Sequence, residues 1–82
     1  MPFYVYILYS ESTDKYYKGQ TNDLNARINR HNAGYEEATK KGKPWTLIWF
    51  TEKESRSDAV ILEKKLKNMN REKLETFISK YT

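Results

Sequence analysis

Sixteen consecutive residues, YYKGQTNDLNARINRH from Tyr16 to His31, hold two tyrosines, a glycine, two arginines and the only histidine of the chain. A later segment, AVILEKKLK, adds Glu63. If these groups converge they share one chemistry. Arginine offers a planar fork to phosphate oxygens, and a tyrosine hydroxyl or an imidazole can take the proton from an attacking water. A single carboxylate can hold one Mg²⁺ whose other positions are water and a substrate phosphate, because this metal dehydrates reluctantly. Such a metal would lower the pKa of water and offset charge on a phosphodiester.

Convergence depends on the elements that carry these residues. FYVYILY (3–9) is apolar throughout and rich in β-branched and aromatic types, so it reads as a central strand covered on both faces. SESTDK supplies turn chemistry, and YYKGQ (16–20) reads as the returning strand of an antiparallel hairpin. Alternation puts Tyr4, Tyr6 and Leu8 on one face and Phe3, Val5, Ile7 and Tyr9 on the other. Thr21, Asn22 or Asp23 can cap a short helix carrying Leu24 and Ile28, with Gly34 available to end it. Residues 35–44 read as a mobile basic loop, and WTLIWF (45–50) as a third strand. Ser55 or Ser57 caps a second helix with Ala59, Leu62, Leu66 and Met69 on one stripe. Asn70 recaps the chain into a final helix marked by Leu74, Phe77, Ile78 and Tyr81. The order β-β-α-β-α-α gives an α+β fold with helices packed on a three-stranded sheet, one domain over residues 1–82.

On the first helix, at roughly 100° per residue from Leu24, Ile28 lies about 40° to one side. His31 falls about 20° and Arg27 about 60° to the other, both beside the sheet-facing stripe. On the second helix Glu63 lies about 40° from Ala59, again among core positions. Each residue alone has a structural account. Arg27 can lay its stem on apolar surface, His31 can be a helix-end cation or a core ring, and the tyrosines suit strands. Glu63 can pair with Lys67 one turn on. Together they favour a site, since an arginine, a histidine, a glutamate and one or two tyrosine hydroxyls could converge on one sheet surface.

Composition narrows the partners. Fifteen Lys and Arg against eleven Asp and Glu leave a formal charge of +4, which favours an anionic partner on a small surface. No cysteine is present, which excludes disulfides and thiolate zinc sites. The N-terminal apolar stretch is too short to span a bilayer and lacks a basic leader, so no membrane role and a cytoplasmic location are expected.

In these residues the chain resembles the GIY-YIG nuclease superfamily, specifically its small single-domain bacterial branch. The half-motifs stand as Tyr4-Val5-Tyr6 and Tyr17-Lys18-Gly19, Arg27 follows eight residues after that glycine, His31 one turn later, and Glu63 on the later helix. The resemblance implies a three-stranded antiparallel sheet flanked by helices and a one-metal hydrolysis of phosphodiesters using Mg²⁺ or Mn²⁺. Tyr6, Tyr17, Arg27, His31 and Glu63 would be catalytic, with Tyr17 or His31 as base, Arg27 on the phosphate and Glu63 on the metal. Departures are Tyr4 for the naming glycine, Lys18 for isoleucine, Gln20 for a lysine of some relatives, and Glu75 where nuclease members often keep an asparagine. With no added targeting domain, substrate contacts fall to Lys18, Arg30, Lys40, Lys41, Lys64 and Lys67, which set affinity and salt dependence rather than sequence. The expected activity is a structure-selective or nonspecific endonuclease on DNA ahead of RNA, with DNA repair or recombination as its setting. The competing readings are a noncatalytic nucleic-acid-binding module and an adaptor that meets a protein partner through exposed aromatics such as Tyr35 or Trp45.

Overall fold

The computed structural model describes residues 2–81. Strands β1 (Phe3–Ser10), β2 (Lys15–Thr21) and β3 (Trp45–Lys53) form one antiparallel sheet in the order β2-β1-β3. The apolar strand β1 is therefore central, and the more polar β2 is an edge. Helix α1 (Leu24–Ala33) packs on one face, and helices α2 (Arg56–Lys67) and α3 (Arg71–Lys80) on the other.

Alternation along β1 divides the core as its sequence requires. Tyr6 and Leu8 join Trp45, Tyr17, Leu24 and Ile28 beneath α1. Val5 and Ile7 join Ala59, Leu66 and Leu74 beneath α2 and α3. The expected caps resolve to Asp23, Ser55 and Asn70, each accepting a backbone N–H of the first turn. Gly34 ends α1 at φ +82°, a left-handed conformation that glycine takes without strain.

One strand irregularity and one failed sequence expectation matter. The register between β1 and β3 slips between Ile7 and Leu8, whose partners are Trp49 and Leu47. This bulge lets the consecutive residues Ile48 and Trp49 both pack toward α2 and α3, which strict alternation forbids. The segment 35–44, read as a mobile loop, is instead anchored. It contains a 3-10 turn at Lys40–Gly42, its Thr39 is buried, and Asn32 exchanges two hydrogen bonds with the backbone of Trp45 just beyond it. Among the described residues no helix is long and apolar enough to cross a membrane.

Candidate active site

Tyr6 points from the centre of β1 toward its register partner Gly19 on β2. A Cβ on Gly19 would lie 2.5 Å from the Tyr6 hydroxyl oxygen and 2.7 Å from Cζ, so the absence of a side chain there is what admits the phenol. The hydroxyl meets His31 Nε2 at 3.0 Å. His31 Nδ1 meets Thr39 Oγ1 at 2.8 Å, and that hydroxyl reaches the carbonyl of Glu36. Every donor finds an acceptor when Tyr6 donates to Nε2, Nδ1–H donates to Thr39, and Thr39 donates to Glu36. No buried side-chain polar atom among the described residues lacks a partner. Trp45 Nε1 donates to the Thr39 carbonyl at 2.7 Å, which fixes the loop against the same cluster.

Burial and charge set the protonation of this chain of groups. Tyr6 is 1% exposed and His31 0%. Burial raises the Tyr6 pKa well above the ordinary phenol value; Tyr17 and the carboxylates of Glu63 and Glu36 add to this, and Arg27 opposes it. Burial lowers the His31 pKa, helped by Arg27 and Arg30 and opposed by Glu36. A neutral histidine that donates at one nitrogen and accepts at the other is what the hydrogen bonds require.

Tyr17 stands one strand over, its ring 4.8 Å from the His31 ring in an edge-on contact and 6.3 Å from that of Tyr6. Unlike those two it is only partly buried. Arg27 is half-exposed, with Nη1 3.9 Å from the Glu36 carboxylate, and lines a depression of about 160 Å³ at the end of β2. Glu63 lies on α2, on the other side of the sheet, with 18% of its side chain exposed and Lys67 Nζ at 3.6 Å. The structure thus brings Tyr6, Tyr17 and His31 into contact, places Arg27 one turn before His31 on the same helix, and keeps Glu63 apart from them on the opposite face of the sheet, against Lys67. It does not line the Arg27 depression with the other four. A separate cavity of about 500 Å³, between β3, α2 and α3, is lined by none of the five.

Among the described residues no group of three or more His, Asp or Glu side chains gathers to hold a metal. Glu63 is a single, largely shielded carboxylate, a donor set that fits only a water-rich Mg²⁺-type site.

The expected contact residues divide. Lys40, Lys41 and Lys64 are exposed and make no ion pair among the described residues. Arg30 is held by Glu36 at 3.0 Å and Lys67 by Glu63. Lys18 is opposite Ile7, on the other face of β2 from Tyr17. Of the aromatics considered for a protein partner, Tyr35 is 73% exposed but Trp45 only 7%, so Trp45 belongs to the core. Glu75, where relatives keep an asparagine, accepts from Tyr16 at 2.8 Å and meets Arg71 at 3.5 Å. Arg71 also grips Asp14 in the hairpin turn, so Glu75 serves to dock α3 at the end of β2 remote from Arg27. Thr39 and Glu36 escaped the sequence reading because polar loop residues show no periodicity that would mark them as buried or paired.

Residues 2–76 match the family model described as the GIY-YIG catalytic domain. A UPF0213 protein of Listeria innocua is 35% identical over 69 residues, covering 83% of this chain and 77% of that protein. One from Limosilactobacillus reuteri is 34% identical over 80 residues, covering 93% and 81%. The solution NMR structure of a UPF0213 protein from Bacillus halodurans superposes with a TM-score of 0.64 at 31% identity, covering 96% of this chain and 84% of that one.

Proposed function

The chain belongs to the GIY-YIG family, through its small UPF0213 branch, and from that premise we propose that it is a divalent-metal-dependent endonuclease acting on DNA. The observation that carries this reading is the contact of Tyr6, Tyr17 and His31, with Arg27 one turn before His31 on the same helix. Arg27 can hold a phosphate and Tyr17 can accept a proton, and Glu63 would supply a metal from α2.

Tyr17 is the better base of the two candidates. Both ring nitrogens of His31 are engaged and the ring is fully buried, whereas Tyr17 reaches partial exposure against it. His31 and Tyr6 then act as positioning residues that hold the Tyr17 ring. Arg27 holds a phosphate oxygen through its guanidinium. Glu63 would hold the metal, Mg²⁺ or Mn²⁺, after leaving Lys67; the ion would activate water and neutralise phosphate charge. The exposed Lys40, Lys41 and Lys64 add sequence-independent attraction, which favours structure-selective or nonspecific action.

A second reading, a noncatalytic nucleic-acid-binding module, is favoured by the full burial of Tyr6 and His31 and by the ion pair that already occupies Glu63. Incubation with labelled single-stranded, duplex, flap and junction DNA and single-stranded RNA, with Mg²⁺, Mn²⁺ or chelator, separates the two. Metal-dependent cutting that falls at least tenfold in Tyr17→Phe is expected. Salt-sensitive binding without turnover on any substrate would establish the second reading instead.

A further inference from the structure

Arg27 is not the only guanidinium at the end of β2. The depression it lines is shared with Arg56, Gln20, Asn22, Thr21 and Phe3, and none of these is acidic. Arg27 comes from α1 on one face of the sheet and Arg56 from α2 on the other, so the two meet around the terminus of the edge strand. Gln20 and Asn22 bring side-chain amides that can donate to the same space.

Arg56 is poorly explained as a structural residue. It opens α2, immediately after the cap Ser55. A cation in the first turn opposes the helix dipole, which favours anions there. It makes no ion pair among the described residues. The one acid of that turn, Asp58, is two positions on, a spacing at which helix side chains do not face each other. Glu36 lies 3.9 Å from Arg27 Nη1 but is held more closely by Arg30 at 3.0 Å, so Arg27, Arg56 and the helix start leave a net positive concavity with room for a small anion.

Its place in the helix ties this concavity to the candidate site. Arg56 and Glu63 are seven residues apart, so they lie about 20° apart on one stripe and about 10.5 Å apart along the axis. We propose that Arg27 and Arg56 together seat a phosphate group, which on the nuclease reading above belongs to the nucleic-acid strand passing Glu63. Arg56 is then a substrate-binding residue that the family pattern does not mark.

The test is binding in chelator, where no turnover intervenes. Anisotropy of a fluorescein-labelled single strand and its duplex, across a salt series, compares wild type with Arg56→Gln and Arg56→Lys. Arg56→Gln is expected to weaken binding about five- to tenfold on every sequence and to reduce the salt slope by about 0.7–0.9, the share of one phosphate contact. Arg56→Lys, which keeps charge without the fork, should fall between. The melting temperature of Arg56→Gln should stay level or rise, which excludes unfolding as the cause. In parallel, the Arg27 and Arg56 Nε–H resonances should shift together on titration with inorganic phosphate. Wild type and Arg56→Gln binding DNA equally, with the same slope, would overturn the seat and leave the nuclease reading standing. Phosphate shifts at both arginines without DNA binding would support the seat and sink the nuclease reading; neither shift nor binding would overturn the seat.

Discussion

Removing one hydroxyl tests whether the buried chain of groups is as tightly satisfied as its distances imply. Tyr6→Phe keeps the ring over Gly19 but leaves His31 Nε2 without the donor now 3.0 Å away. Both side chains are essentially sealed from water, with exposures of 1% and 0%, so no solvent replaces the lost bond. Stranding a buried acceptor costs about 1–3 kcal/mol. At about 2.1 cal/mol/K per residue the unfolding entropy of this chain is about 0.17 kcal/mol/K, so the melting temperature should fall by about 6–17 °C. Calorimetry or circular dichroism melts would read this directly. The double variant Tyr6→Phe/His31→Phe removes both partners, and its loss should be smaller than the sum of the single losses by about 1 kcal/mol or more. A Tyr6→Phe melt within about 2 °C of wild type, or strictly additive losses, would show that the Tyr6–His31 hydrogen bond contributes nothing to stability.

His31, held neutral by burial and by Arg27, takes up a proton in the unfolded chain near pH 6.5 but in the folded one only at lower pH. Stability from this residue is therefore complete above about pH 6.5 and lost as the pH falls through the depressed folded value; urea midpoints from pH 7.5 to 5 should decline in wild type and flatten in His31→Gln. Gly19→Ala should cost about 1–3 kcal/mol in urea unfolding, since its Cβ would displace the Tyr6 hydroxyl; a neutral result would show that the close approach is dispensable. Lys67→Met removes a cation 3.6 Å from Glu63 and should tighten Mn²⁺ binding about two- to fivefold by calorimetry, in keeping with a partly exposed pair worth under about 1 kcal/mol; unchanged or weaker binding would place the metal elsewhere.

What the sequence revealed follows from periodicity. Tyr6 and Leu8 against Val5 and Ile7 sort by alternation, and Leu24, Ile28 and His31 by the helical repeat, so both core layers and the sheet-facing place of His31 are legible without coordinates, while its full burial emerges only in the fold. Ile48 and Trp49 are not, because a bulge breaks the alternation that would assign them to opposite faces. Thr39 fixes the histidine from eight residues away inside a polar basic stretch, where no pattern distinguishes an anchored loop from a free one. Arg27 and Glu63 were legible as polar residues beside apolar stripes, but helical angles say nothing of pairing. Their carboxylate and ammonium neighbours, Glu36 and Lys67, emerge only in the fold. Arg56 lies between the two serines that could cap the helix, so its first-turn position and its meeting with Arg27 emerge only in the fold.

On the nuclease reading, metal-dependent cleavage of a phosphodiester depends on Glu63, and removing its charge is the decisive experiment. Wild type and Glu63→Gln, purified in parallel and shown to melt alike, are assayed on labelled DNA with Mg²⁺ and Mn²⁺. Wild type is expected to cut, chelator to abolish the cutting, and Glu63→Gln to lack it. Cleavage retained by Glu63→Gln, or absent from wild type that binds the same DNA, would contradict the nuclease reading.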